Sequence, residues 1–485
     1  MSRPLVLIHG YSADGLDFTP LCRALEVKGI DAVDINIANY VSLNNEITIK
    51  DIAEGLDRAS RYNPRLNADQ PFDAIVHSTG MLVIRSWLTN YGAPVTNNSR
   101  LRRLKHLIGL APATWGSPQA HKGRTWLGAL VRGNRKIGPD FLNAGDEVLD
   151  GLELGSSFTW DLAHADLLGD APYYDKGPNT PFVCVFIGNV PYDGLSSVAN
   201  DPGTDGTVRW SGCALNTRKI IVDLTRTPVD GDGRPSSRVS ISPWENQRLD
   251  IPLIPVEGKN HATLVSEPDD AMVQLICDFL RVGDEGGETY DAWLTRAKTF
   301  GEPGWNKMLV DPGKAAAGIS ADVKQFFGHI FHTSETEIEG WQQFVVHARD
   351  ERGDGVNDYL IDVLRKDGNN WVPFEEMYTD VHPYATDSSY RCFHIRLPTG
   401  ISNGAIPLKL RIHASTGTAL MAYQGYGSND DGKKLTAEAK PVEIDLSGLG
   451  DKGTLFYPFT TTLVEIILNR EPSPLNAISE VLKFL

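Results

Sequence analysis

The sequence predicts a chain of two parts: an α/β region with a mostly parallel sheet over residues 1–283, then an all-β sandwich over residues 324–485. Three observations predict it. Apolar runs alternate with helical patterns at the spacing of βαβ units in the first part. The segment Gly283-Asp284-Glu285-Gly286-Gly287 then breaks the pattern. Beyond Trp341, short strand-like runs separated by polar turns replace it. A chain of 485 residues also exceeds what one core usually supports.

The first run, residues 4–8, is continuously apolar and suits a strand buried on both faces. It ends at His9-Gly10-Tyr11 and the turn-rich Ser12-Ala13-Asp14-Gly15. A helix is expected over 18–28, with Leu21, Leu25 and Val27 as apolar positions, and a strand over 30–37. A second helix over 47–62 sets Ile49, Ile52, Ala53 and Leu56 on one face. The strand 72–76 runs straight into Val76-His77-Ser78-Thr79-Gly80 and a new helical pattern. Further strands fall at 104–110 and 182–187, and an apolar run at 251–256 precedes a helix over 269–280. Residues 115–181 are a long insertion with clustered apolar residues. A linker, 284–323, holds a short helix over 290–298. The last part shows strands at 343–349, 356–364, 391–397, 406–413, 441–446 and 460–468. The first two flank the polar stretch from Asp350 to Gly355 as a hairpin.

A serine where a strand gives way to a helix fits a nucleophile elbow, which lifts the hydroxyl clear of the backbone. The helix start then aims its first N–H groups at whatever the hydroxyl attacks. A serine that merely caps an ordinary helix is the plainer reading of Ser78. A serine hydroxyl needs a base, and the base an orienting acid. Of the histidines, His9 and His77 belong to the motifs above, His106 starts a strand and reads as structural, and His121 and His164 fall in the insertion. His261 follows the apolar run 251–256 and precedes a helix, so it stands on a loop off a strand end. Acid candidates are Asp193, Asp201 and Asp205, in the polar loop after 182–187. Asp205-Gly206 is also a common turn dipeptide.

A strand ending in His9-Gly10 and another ending in Val76-His77-Ser78-Thr79-Gly80 resemble the α/β-hydrolase fold, in its bacterial lipase and esterase branch, over roughly residues 1–283. The resemblance implies a serine, acid, histidine order, hence Ser78, Asp205 and His261 as the triad, with Asp205 favoured because Asp205-Gly206-Thr207-Val208 is similar to lipase acid loops. It implies oxyanion donors at the amides of Tyr11 and Thr79, and a cap or lid at 115–181. Trp115, Trp126 and Leu127 are then candidate substrate-lining residues, unless they only pack the cap. One departure is Val76, where the family has Gly or Ala and a β-branched side chain would crowd the turn. The implied reaction is hydrolysis of carboxylic, lipid-like esters through an acyl-enzyme, with no metal and no organic cofactor. Phospholipase or acyltransferase chemistry on the same triad, or an inert lipid- or partner-binding protein, are the other readings.

Composition narrows the classes. The net charge of −16 argues against nucleic acid as a partner. No apolar run approaches the roughly 20 residues of a membrane span. Core strand begins at once after Met1-Ser2-Arg3, which leaves no signal peptide, and the cysteines at 22, 184, 213, 277 and 392 lack CxxC spacing. A cytoplasmic location is the expectation, with signal-independent secretion open. Asp350 to Gly355, Asn429-Asp430-Asp431-Gly432 and Asp230-Gly231-Asp232-Gly233 have calcium-like spacing but lack the terminal glutamate, so they read as solvated turns. His329 and His332 read as surface residues.

Overall fold

The computed structural model describes residues 3–8, 18–30, 32–35, 46–66, 70–89, 99–121, 145–169, 173–174, 179–192, 201–226, 239–241, 251–311, 336–417, 421–424, 441–446 and 455–472. Up to residue 260 the strands are β1 (Leu5–Ile8), β2 (Ala32–Ile35), β3 (Phe72–His77), β4 (Leu104–Leu110), β5 (Phe182–Gly188), β6 (Thr217–Asp223), β7 (Val239–Ile241) and β8 (Leu253–Val256). Six of them form one parallel sheet in the order β2-β1-β3-β4-β5-β8. Its strands are apolar on both faces because helices cover both. Alternate residues divide cleanly. Val6, Ile8, Ala74, Val76 and Leu107 face the helices Ile49–Tyr62 and Gly80–Thr89. Leu5, Leu7, Ile75, Ile108 and Leu110 face Thr19–Val27 and Asp270–Phe279.

β6 and β7 leave this sheet for another. The later strands are β9 (Val310–Asp311), β10 (Thr336–Asp350), β11 (Asp358–Asp367), β12 (Asn370–Pro373), β13 (Tyr378–Pro383), β14 (Tyr390–Pro398), β15 (Leu408–Ser415), β16 (Met421–Gln424), β17 (Val442–Asp445) and β18 (Thr460–Pro472). A mixed sheet runs β13-β14-β10-β18-β6-β7, so a strand from the first 283 residues pairs in parallel with one near the end of the chain. A second sheet, β12-β11-β15-β17, packs on it. Ile220, Val222, Val346, Phe393, Val464 and Ile466 of the first meet Tyr359, Ile412 and Ala414 of the second. This is the expected sandwich, with two strands borrowed from the α/β region.

Three local expectations change. The strands flanking residues 350–355 are no hairpin: β10 joins the mixed sheet and β11 the other. Nor is that turn merely solvated. Asp350 is fully buried, its Oδ1 accepting the amides of Arg352 and Asp354 at 2.9 Å each while Arg470 Nη1 reaches Oδ2 at 3.2 Å. Its carboxylate is filled by the protein's own donors. The expected short helix in the linker is the 19-residue helix Tyr290–Met308. It docks on the α/β region, with Trp293 buried and its indole N–H donating to Leu275 O at 2.9 Å. Gly301, Pro303 and Gly304 look like breakers, yet a Cβ on Gly304 would come within 2.9 Å of Pro255, so glycine is what lets the helix lie against β8. The break at residues 283–287 is fastened to the α/β region, since Arg3 pairs with both Asp284 at 2.6 Å and Asp73 at 3.1 Å.

Candidate active site

Ser78 sits between β3 and the helix Gly80–Thr89 with φ of 52°, a left-handed conformation that an ordinary serine avoids. Such strain costs on the order of 1–3 kcal/mol and persists only where the surroundings over-determine it. Here the Ser78 amide donates to Leu110 O at 3.3 Å, and its carbonyl accepts from Ala113 at 3.0 Å and Met81 at 3.3 Å. Gly80 permits the close approach of β1, since a Cβ there would lie 2.6 Å from Ile8 O. The Val76 side chain is fully buried, and Gly109 stands beside it in register on β4. A Cβ on Gly109 would come within 2.9 Å of Met81 and 3.1 Å of Pro112, so that glycine makes room for the helix after Ser78.

His261 and Asp205 meet next to this turn. His261 Nδ1 lies 3.0 Å from Asp205 Oδ2, and its amide donates to Asp205 O at 3.1 Å. Asp205 is fully buried, with Oδ1 accepting the amides of Thr207 at 3.0 Å and Val208 at 2.8 Å. Gly206, at φ of 98°, lets the loop fold under the Tyr192 ring, whose hydroxyl bonds Thr207 Oγ1 at 2.8 Å. Ser117 Oγ donates to Thr207 O at 2.7 Å from the far side. Asn260 Oδ1 accepts the amides of Ala262 and Thr263, fixing the bend that carries His261. Of the other acid candidates, the Asp201 carbonyl accepts the Thr204 hydroxyl at 2.7 Å, and Asp193 lies outside the described residues.

His77, noticed only as part of a motif, has a visible task. Its Nε2 donates to His261 O at 3.1 Å, and the two rings lie 4.6 Å apart. The residue before Ser78 thus fastens the loop that carries His261. Adjacency to Ser78 was the only sequence signal for it.

The remaining expectations divide. Thr79 is buried at the helix start, where amides lack intrahelical acceptors. Tyr11, Trp126 and Leu127 lie outside the described residues. Trp115 is fully enclosed by protein. Its indole N–H donates to Ala214 O at 2.8 Å, and it packs with Leu154, Trp160, Val345, Cys392 and Leu463. It fills the joint between cap and mixed sheet instead of lining an acyl pocket. His106 is structural as expected, bonding Asp73 Oδ1 at 2.7 Å and Val282 O at 3.0 Å.

The insertion 115–181 is tied to the helix after Ser78 by a buried ion pair the sequence did not reveal. Arg85 donates from Nε and Nη2 to the two oxygens of Asp166 at 2.8 and 2.9 Å, and from Nη1 to Thr114 O at 2.8 Å. Tyr174 adds a hydroxyl donor to Asp166 at 2.7 Å. Burial works against the guanidinium's charge, but Asp166 outweighs it and leaves Arg85 above its ordinary pKa.

Chemically, a buried carboxylate on Nδ1 fixes the imidazole tautomer and leaves Nε2 free to take a proton. No sequence-family profile matches the chain, and no curated protein matches it. Among solved structures it is similar to phospholipase PlaB from Legionella pneumophila, at 20% identity over 100% of this chain and 96% of that one, with a TM-score of 0.71. A second structure of PlaB from that organism, in complex with thio-NAD, matches at 20% identity over 99% and 96%, with a TM-score of 0.69. The chain has the α/β-hydrolase fold, joined through a shared sheet to a C-terminal β-sandwich.

Proposed function

We propose that the protein is a serine hydrolase that cleaves the carboxylic esters of lipid-like substrates. The observation that carries this reading is the His261 Nδ1 contact to Asp205 Oδ2 at 3.0 Å, on a loop fastened to the residue before a strained Ser78. Ser78 Oγ attacks the ester carbonyl while His261 Nε2 takes its proton, and Asp205 stabilises the resulting imidazolium. The Thr79 amide receives the developing oxyanion, with Tyr11 supplying the second donor. Collapse expels the alcohol, protonated by His261. Water activated by the same base then cleaves the acyl-enzyme and releases the acid.

Likeness over the full length to a protein named a phospholipase favours glycerophospholipid esters among lipid substrates. The test is turnover of p-nitrophenyl esters from acetyl to palmitoyl, and of phospholipid micelles, by wild type and Ser78→Ala. The expected result is a loss of about 10⁴-fold or more with an unchanged circular dichroism spectrum. Equal turnover by the two proteins would refute the role of Ser78. Preference for a competing alcohol over water would identify an acyltransferase instead.

A further inference from the structure

Away from Ser78, the fold gathers His121, Glu153 and His382, residues that no motif connects. His121 and Glu153 belong to the cap region and His382 to β13. Glu153 follows the helix Asp146–Leu152 and is fully buried. Its Oε1 lies 2.9 Å from His382 Nε2 and 3.5 Å from His121 Nδ1, and the three donor atoms all fall within 4.8 Å of one another. The Ala385 amide also donates to that oxygen at 2.9 Å.

We propose that these three side chains bind a divalent cation of the zinc class, with a fourth position left for water or another ligand. Metal–ligand distances of about 2.0–2.1 Å put tetrahedral ligands about 3.3–3.4 Å apart, in the range of the contacts to Glu153. Two imidazoles and one carboxylate suit zinc and its first-row neighbours, whereas calcium and magnesium prefer sets made of oxygen alone. A buried carboxylate needs compensating charge, which a dication between the three donors supplies. His121, its side chain 43% exposed, offers the entry path.

The site clamps cap to sandwich and reaches toward the acid loop. Glu153 forms a backbone bridge with Ser117, whose amide donates to Leu152 O at 2.9 Å and whose hydroxyl holds Thr207 O. The cation therefore steadies a strut that ends on the Asp205 turn.

The test uses full-length protein, stripped with a chelator and titrated with zinc against a chromophoric competitor. Thermal unfolding with and without zinc, and the visible spectrum with cobalt(II), accompany it. Wild type and His261→Ala are each expected to bind one zinc per chain, to show the intense bands of four-coordinate cobalt, and to melt higher with zinc. His121→Ala and His382→Ala are expected to lose stoichiometric binding and the melting shift. His121→Ala alters a half-exposed side chain, so it reports on the site even if His382→Ala misfolds. Absence of stoichiometric zinc in wild type overturns the proposal. Undiminished binding by a folded His121→Ala overturns it as well.

Discussion

The parallel sheet and the mixed sheet bury their strands by different means. Strands β1, β3, β4 and β5 are filled almost wholly with apolar side chains. The centre of the mixed sheet is polar. Gln342 Nε2 donates to Thr462 Oγ1 at 3.1 Å, and its Oε1 accepts the Tyr457 amide at 2.8 Å. Thr461 Oγ1 donates to Ser211 O at 2.9 Å, while buried Arg209 pairs with Asp380. His394 is buried and stacks on Trp341 with ring centroids 5.3 Å apart. Greasy strands of a parallel sheet need little further instruction, because a slip would turn the wrong face inward. Strands that meet from distant parts of a chain have no such guide, and side-chain bonds such as Gln342–Thr462 and Thr461–Ser211 help to specify a single register.

Removing the distant partner tests this contrast most severely. A chain ending at Asp311 lacks β10 and β18, leaving Ile220 and Val222 of β6 without their sheet. It should be insoluble or lack a cooperative unfolding transition. A soluble, cooperatively folding fragment would break the contrast by showing that the α/β part closes by itself. Next in size is Arg85→Ala, which removes a buried charge from the apolar region and strands Asp166. Breaking a buried pair from one side typically costs about 3–5 kcal/mol, which urea unfolding would register. A cost below about 1 kcal/mol would show that the cap needs no such tie.

The smallest effect sharpens the contrast through pH. Burial, and then Arg209 nearby, push His394 well below its ordinary pKa. The unfolded chain then binds a proton that the folded one refuses. Stability from this residue is therefore present above about pH 6.5 and falls as pH drops below it, by at most about 1.4 kcal/mol per pH unit. His394→Phe should flatten that slope in urea unfolding curves measured above and below about pH 6.5. An unchanged slope would assign it to other groups.

What was legible in the sequence follows the same division. The strand ending at His77, the serine turn and the helix Ile49–Tyr62 declare themselves through local periodicity. The pair His261–Asp205 was accessible because strand-end loops gather at one edge of a parallel sheet. The helix through Pro303 was not, because its glycines act by contact with β8, which no local pattern encodes. For Trp115 the sequence left lining and packing open, because an apolar residue in an insertion looks the same whether it meets substrate or a distant strand such as β18. The pair Arg85–Asp166 and the cluster His121, Glu153 and His382 depend on approaches across many residues, and their spacing carries no signal.

The borrowed strand also sets a timetable. Thr460 of β18 follows Asp223 of β6 by 237 residues. At ordinary rates of synthesis, β6 waits roughly 10–50 seconds on the ribosome before its parallel neighbour exists. Through that interval the nascent chain carries an open strand edge just downstream of the loop bearing Asp205. Such a chain has every reason to depend on a chaperone while it is being made, and its α/β half gains this parallel neighbour only once β18 has been delivered.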